Sequence, residues 1–208
     1  MHKFILLFAF CLSSLLLIAQ DEKKDSSESA WSFTASGYYY WIPYEKNFLL
    51  LTGIAEHKSL HLEARYNYED LNTASAFAGW KFEAGNQLQL TAVPMFGFAF
   101  GNTNGAIPAL ELELSYKIFD FYSEAEYLID FSGGENNFFY TWTELGVSPL
   151  EHFRTGISIQ KTRVYQTEFS LQRGIFAEYS FWKLTVGAHL FDPFSSDTFG
   201  VFLLRVNF

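Results

Sequence analysis

The sequence predicts an all-β fold: a transmembrane, antiparallel, up-and-down β-barrel of about 12 strands joined by short loops. Three observations carry that prediction. Beyond the first twenty residues, apolar and polar side chains alternate with a period of two along most of the chain. Aromatic residues make up 20% of the sequence, yet mean hydropathy is close to zero. No apolar run after residue 20 approaches the roughly 20 residues of a membrane helix. Strands buried on both faces would be apolar throughout. Alternation with this aromatic load fits strands that turn apolar residues to lipid and polar ones to a lumen.

The chain opens with a segment set apart from the barrel. Met1 to Gln20 reads as a cleaved signal peptide: His2 and Lys3, then an apolar run from Phe4 to Leu17 broken only by Ser13 and Ser14. Cleavage is expected after Ala19 or Gln20, before the charged stretch Asp21 to Asp25. Cys11, the one cysteine, follows Phe10 rather than the small residue a lipid-modified cysteine needs, and it leaves with the signal. No disulfide, thiol nucleophile or cysteine metal site is then expected. Residues 21–30 read as a polar periplasmic leader, and 31–208 as one barrel domain. The net charge of −9 becomes about −10 without Lys3, which argues against nucleic acid as a partner.

The first strand runs from Trp31 to Trp41, with Trp31, Phe33, Ala35, Gly37, Tyr39 and Trp41 on one face and Ser32, Thr34, Ser36, Tyr38 and Tyr40 on the other. A turn at 43–47 leads to the second, Phe48 to Ala55, whose alternation is blurred; without it the barrel would have ten strands. The third sets Leu60, Leu62, Ala64, Tyr66 and Tyr68 outward against His61, Glu63, Arg65, Asn67 and Glu69. In the fourth, Ala74, Ala76, Ala78, Trp80 and Phe82 face out, and Thr73, Ser75, Phe77, Gly79, Lys81 and Glu83 face in. In the fifth, Leu88, Leu90, Ala92, Pro94, Phe96, Phe98 and Phe100 face out; Pro94 lacks a ladder donor and predicts a bulge. The sixth turns Glu111, Glu113, Ser115 and Lys117 inward, the seventh Tyr122, Glu124, Glu126 and Asp130, the eighth Tyr140, Trp142, Glu144 and Ser148. The ninth turns in Arg154, Gly156, Ser158 and Gln160; the tenth, Tyr165 to Phe181, Glu168 and Glu178; the eleventh Thr185, Gly187 and His189.

The twelfth strand ends the chain. Gly200, Phe202, Leu204, Val206 and Phe208 share one face, and Phe199, Val201, Leu203, Arg205 and Asn207 the other. A final strand that closes on Phe in this way resembles the outer-membrane β-barrels of Gram-negative bacteria. That resemblance implies a lipid bilayer around the barrel. It also implies that Gly200, Phe202, Leu204, Val206 and Phe208 are the signal read by the barrel-assembly machinery. Aromatic clusters at 38–41, 96–100, 138–142 and 181–182 suit interfacial girdles. An even strand number places both termini on the periplasmic side.

Function then rests on the inward face. Twelve strands tilted by about 40° enclose a backbone radius of roughly 12 Å, so side chains decide whether a passage remains. The expected lumen-lining charges are Glu63, Glu83, Glu111, Glu113, Glu124, Glu126, Asp130, Glu144, Glu168 and Glu178, against Arg65, Lys81, Lys117, Arg154 and Arg205, with His189 among them. Acids outnumber bases, so a wet lumen that prefers small cationic or neutral polar solutes is expected. A salt-bridged, side-chain-filled structural or interaction barrel is the alternative. An outer-membrane lipase or protease is a second alternative; it would need a His beside a Ser or an acid, and His61 and His189 are the inward histidines. His57 and His152 are expected in turns. No metal-ligand spacing is evident, and no cofactor is expected. In strand count and size the chain resembles twelve-stranded substrate-selective channels, such as those for nucleosides or acidic oligosaccharides. It shows no motif for either substrate.

Overall fold

The computed structural model describes residues 30–43, 45–164 and 170–208. The expected signal peptide, the leader up to residue 29, and Glu168 lie outside the described residues. Thirteen strands form: β1 (Ser32–Trp41), β2 (Phe48–His57), β3 (Leu60–Tyr66), β4 (Thr73–Trp80), β5 (Phe82–Gly85), β6 (Leu88–Gly101), β7 (Gly105–Tyr116), β8 (Phe119–Asp130), β9 (Phe138–Leu150), β10 (Phe153–Val164), β11 (Ser170–Phe181), β12 (Leu184–Phe191) and β13 (Phe199–Asn207). All pairings are antiparallel; apart from β4 with β6 they join sequence neighbours, and β1 pairs with β13 to close the sheet. β4 and β5 both pair with β6 and are two halves of one wall, so the barrel has twelve walls. β2 pairs fully with β1 and β3, which removes the ten-strand alternative.

Pro94 and Pro108 each drop a rung without shifting register, whereas Pro149, near the end of β9, lies where the pairing with β10 shifts by one residue. β4 and β5 keep one register against β6, with Gly79 opposite Met95 and Phe82 opposite Ala92. The gap between them falls where Pro94, which has no N–H, would face Trp80. The bulge expected near Pro94 is absent: β6 runs unbroken, and Pro94 sits opposite Leu110 in line with its neighbours. A lost rung removes one hydrogen bond, whereas an inserted residue would turn every later side chain to the wrong face. Pro108 repeats the pattern in β7, where the pairing with β8 skips 107–108 and resumes in register.

The two ends of the barrel differ. On the side of both termini the connections are two-residue turns at 58–59, 86–87, 117–118, 151–152 and 182–183. Lys58, Lys117 and Trp182 adopt positive φ there, as tight hairpins matched to strand twist require. On the opposite side the fully described connections are longer, at 67–72, 102–104, 131–137 and 192–198. His152 occupies a turn as expected, but His57 ends β2, with its ring 5.1 Å from Trp31. At the seam, Thr34 to Trp41 pair with Asn207 to Gly200, and Phe208 N donates to Phe33 O at 2.8 Å.

Large apolar side chains cover the outside, among them Phe33, Trp41, Phe82, Phe96, Phe98, Phe100, Phe202 and Leu204. Water would penalise such a surface; a bilayer requires it. A second apolar cluster lies inside. Tyr40, Leu50, Phe77, Met95, Ala99, Ile107, Leu128, Phe138, Tyr140, Trp142, Phe191, Phe199 and Val201 pack together in the half of the lumen away from the termini. Each buried Phe, Leu, Ile, Val or Met among them adds about 1.5–3 kcal/mol by leaving water, so this half is a packed core.

Candidate functional site

The lumen is divided. Toward the termini lies a chamber of about 560 Å³, with Thr34, Glu83, Ser115 and Asn207 near its mouth. Toward the longer loops lies a smaller cavity of about 210 Å³, bordered by Phe48, Asn67, Asp70, Leu71, Phe138 and Gln160. Tyr40, Leu50, Tyr68 and Tyr140 border both and form the septum between them.

Tyr68 reaches the septum through a local break in alternation. The period of two predicts it outward, but Asn67 has φ 60° and resets the pattern. Asparagine tolerates this left-handed conformation better than most residues. Three hydrogen bonds hold Asn67: its N–H donates to Thr73 O, its Nδ2 to Leu49 O, and its Oδ1 accepts from Asn72 N. Tyr68 therefore turns inward, donates from its hydroxyl to Glu124 Oε2 at 2.6 Å, and meets the Tyr140 ring edge-on at 5.6 Å. Glu69 is drawn in as well and accepts from Ser75 Oγ at 2.7 Å.

Two arginines organise the charge. Arg65, on β3, donates from Nε and Nη2 to the two oxygens of Glu63 at 2.9 and 3.0 Å. Its Nη1 donates to Glu126 Oε2 at 2.8 Å and lies 2.7 Å from Glu124 Oε1, both on β8. The guanidinium is fully buried between the rings of Tyr68 and Phe77, each 4.3 Å away. Arg154 donates from Nε to Asp120 Oδ1 at 2.9 Å and from Nη1 to Glu144 at 2.6 Å and Glu178 at 3.3 Å. It lies over Phe176 at 4.6 Å.

The remaining inward charges are less tightly held. Lys81 lies 3.4 Å from Glu56 and 3.8 Å from Glu83 at the mouth. Arg205 Nη2 donates to Tyr38 Oη at 3.5 Å, and Glu111 accepts from Tyr122 Oη at 3.3 Å. Glu113 lines the chamber and is exposed to it. Among the described residues, nine carboxylates line the chamber against Lys81, Arg154 and Arg205. Coulomb balance there favours cations over anions.

Two expected lumen residues lie elsewhere. Lys117 sits in the turn after β7 with positive φ, its Nζ 5.1 Å from the outward ring of Tyr116, because the strand ends before it. Asp130 ends β8, and its carboxylate accepts hydrogen bonds from the backbone and hydroxyl of Ser132 in the adjoining loop. Glu126 and Arg65 are inside but sealed from the chamber. Conversely, Glu56 and Asp120 line the chamber and were not expected there. Parity with Tyr122 and Glu124 already pointed Asp120 inward; Glu56 was missed because the second strand was ended at Ala55.

Ser158, His189 and Glu144 come together on three walls. His189 Nδ1 lies 3.5 Å from Ser158 Oγ, and its Nε2 lies 3.9 Å from Glu144 Oε1. This does not make a nucleophile. Ser158 is 1% exposed, and Glu144 already accepts from Trp142 Nε1 and Arg154, so no substrate carbonyl could reach Oγ. Among the described residues, two groups of side chains have metal-ligating composition: His61, Glu63 and Glu111, and Glu144, Glu178 and His189. In the second, Arg154 already engages both carboxylates.

The fold and its divided, charged interior define a closed membrane-type barrel of the channel-forming size. No protein-family model matches the chain, and no curated protein matches it. Solved structures do. A KdgM porin matches with a TM-score of 0.59 at 9% identity, over 84% of this chain and 98% of that one. A KdgM porin in complex with disordered oligogalacturonate matches at 0.60 and 9%, with the same coverage. A NanC porin matches at 0.54 and 8%, over 85% and 98%. In fold the chain is a closed, twelve-walled antiparallel β-barrel similar to those of these porins.

Proposed function

We propose that the protein is an outer-membrane channel whose narrow, acid-lined lumen passes small cationic or neutral polar solutes. The observation that carries this reading is the chamber of about 560 Å³ with nine carboxylates against three permanent cations among the described residues. Acidic lumens concentrate cations and repel anions. A porin of the same fold is described in complex with oligogalacturonate, an acidic chain; a polyanion would meet net repulsion in this chamber. Passage requires the septum of Tyr40, Leu50, Tyr68 and Tyr140 and the apolar side chains packed beyond it to part, so conduction is expected in brief, small steps. The signal peptide and the closing strand from Gly200 to Phe208 would deliver the barrel to the outer membrane through the assembly machinery.

Reconstitution in planar bilayers under a salt gradient tests the reading. Discrete conductance with a cation-selective reversal potential is expected, and Glu83→Gln/Glu113→Gln at the open end should lower the cation preference about twofold. Silent bilayers from a folded, heat-modifiable barrel would instead support a filled structural barrel, for which the septum is the physical basis.

A further inference from the structure

His61 is buried and only half satisfied. Its side chain is 3% exposed, and its Nε2 has no hydrogen-bond partner. Its Nδ1 lies 3.3 Å from Glu56 Oε1. In the neutral imidazole a hydrogen on Nδ1 faces the Glu56 carboxylate, which only accepts, and Nε2 is then left with a lone pair for a cation. Two carboxylates lie close to the ring. A ligand oxygen of Glu63 and one of Glu111 lie with a His61 nitrogen within 4.8 Å of one another, and Nε2 stands 3.7 Å from Glu63 Oε2. A direct hydrogen bond would draw that pair to about 3.0 Å. Ligands around a tetrahedral Zn²⁺ stand about 3.4 Å apart, given bonds of about 2.0–2.1 Å.

The surrounding charge supports the same reading. Glu111 has no cation within ion-pair distance among the described residues, while Glu63 already accepts from Arg65 on both oxygens and would ligate through its remaining lone pairs. We propose that His61, Glu63 and Glu111 form a divalent transition-metal site in the lumen, suited to Zn²⁺, with Glu56 as the outer carboxylate that holds His61 in its ligating tautomer. One imidazole and two carboxylates suit a borderline cation, and a carboxylate on the far imidazole nitrogen is the usual support for a ligating His. His61, Glu63 and Glu111 all border the chamber, so a fourth ligand position opens to water or solute. The site needs only the closed barrel; it does not depend on the barrel conducting.

The test uses the full barrel, folded in detergent and stripped with EDTA, then titrated with Zn²⁺ by calorimetry. One ion per barrel is expected. His61→Ala and Glu111→Gln should each weaken binding by at least about tenfold, and Glu56→Ala by about 10- to 100-fold. His57→Ala and His152→Ala should leave it unchanged. X-ray absorption of the zinc-loaded barrel should show a nitrogen and oxygen shell with a single imidazole. Absence of binding at millimolar Zn²⁺, binding that survives both His61→Ala and Glu111→Gln, or loss on His189→Ala instead would overturn the proposal. If His61→Ala fails the heat-modifiability check for folding, the near-isosteric Glu111→Gln decides. Conductance of the same preparations separates the two readings: a zinc-binding barrel that stays silent removes the channel and keeps the site, and a conducting barrel without zinc binding does the reverse.

Discussion

Arg65→Met should destabilise the barrel severely. The guanidinium is fully buried, with Glu63, Glu124 and Glu126 at 2.7–3.0 Å and the rings of Tyr68 and Phe77 at 4.3 Å. Methionine keeps much of the volume and the contact with both rings, so the electrostatic loss dominates. These three carboxylates, and buried Glu69 at 3.8 Å, would be left in the interior without their counter-ion. Removing one partner of a buried pair costs about 3–5 kcal/mol, and a loss of about 4 kcal/mol is roughly a thousandfold in the folding equilibrium. Urea titration of the barrel in lipid vesicles, followed by tryptophan fluorescence and by heat-modifiable migration, measures it. Arg65→Met/Glu124→Gln/Glu126→Gln removes two of the orphaned charges and should recover at least half of the loss, because the penalty belongs to the unpaired charge. A loss below about 1 kcal/mol for Arg65→Met, or no recovery in the triple variant, would refute the electrostatic argument.

Tyr140→Ala removes one side of the septum and joins the two cavities; single-channel conductance should rise severalfold, and an unchanged conductance would place the barrier elsewhere. Gly97→Ala puts a Cβ 2.4 Å from Phe77 Cδ1 and 2.6 Å from Ala76 O inside the wall, and should cost about 1–3 kcal/mol in the same urea titration. Gly53→Ala, whose Cβ would meet nothing within 4 Å, is the matched control and should be near neutral.

Most of the wall was legible before any coordinates. Glu63, Glu111, Glu124, Glu144 and Arg154 lie inward where the period of two places them, and Phe96, Phe98 and Phe100 outward. Errors gathered at strand ends, where parity stops meaning anything: Lys117 and Asp130 lie just past or at the last pair, and Glu56 just past the strand end assigned from sequence. Tyr68 was lost to a single residue, since one left-handed Asn67 turns the next side chain over and leaves no mark on the apolar pattern.

The sequence by itself determined about twelve alternating strands with an apolar outer and a polar inner face, because each follows from a local alternation repeated along the chain. Only the tertiary structure decided what the interior is. Arg65 on β3 meets Glu124 and Glu126 on β8 because the sheet curves round until distant walls face each other. The same closure stacks the inward apolar residues at one end and opens a carboxylate-lined chamber at the other. Periodicity reports which face a side chain takes; which side chains share a level across the lumen depends on strand register, stagger and closure, and those exist only once the barrel is complete.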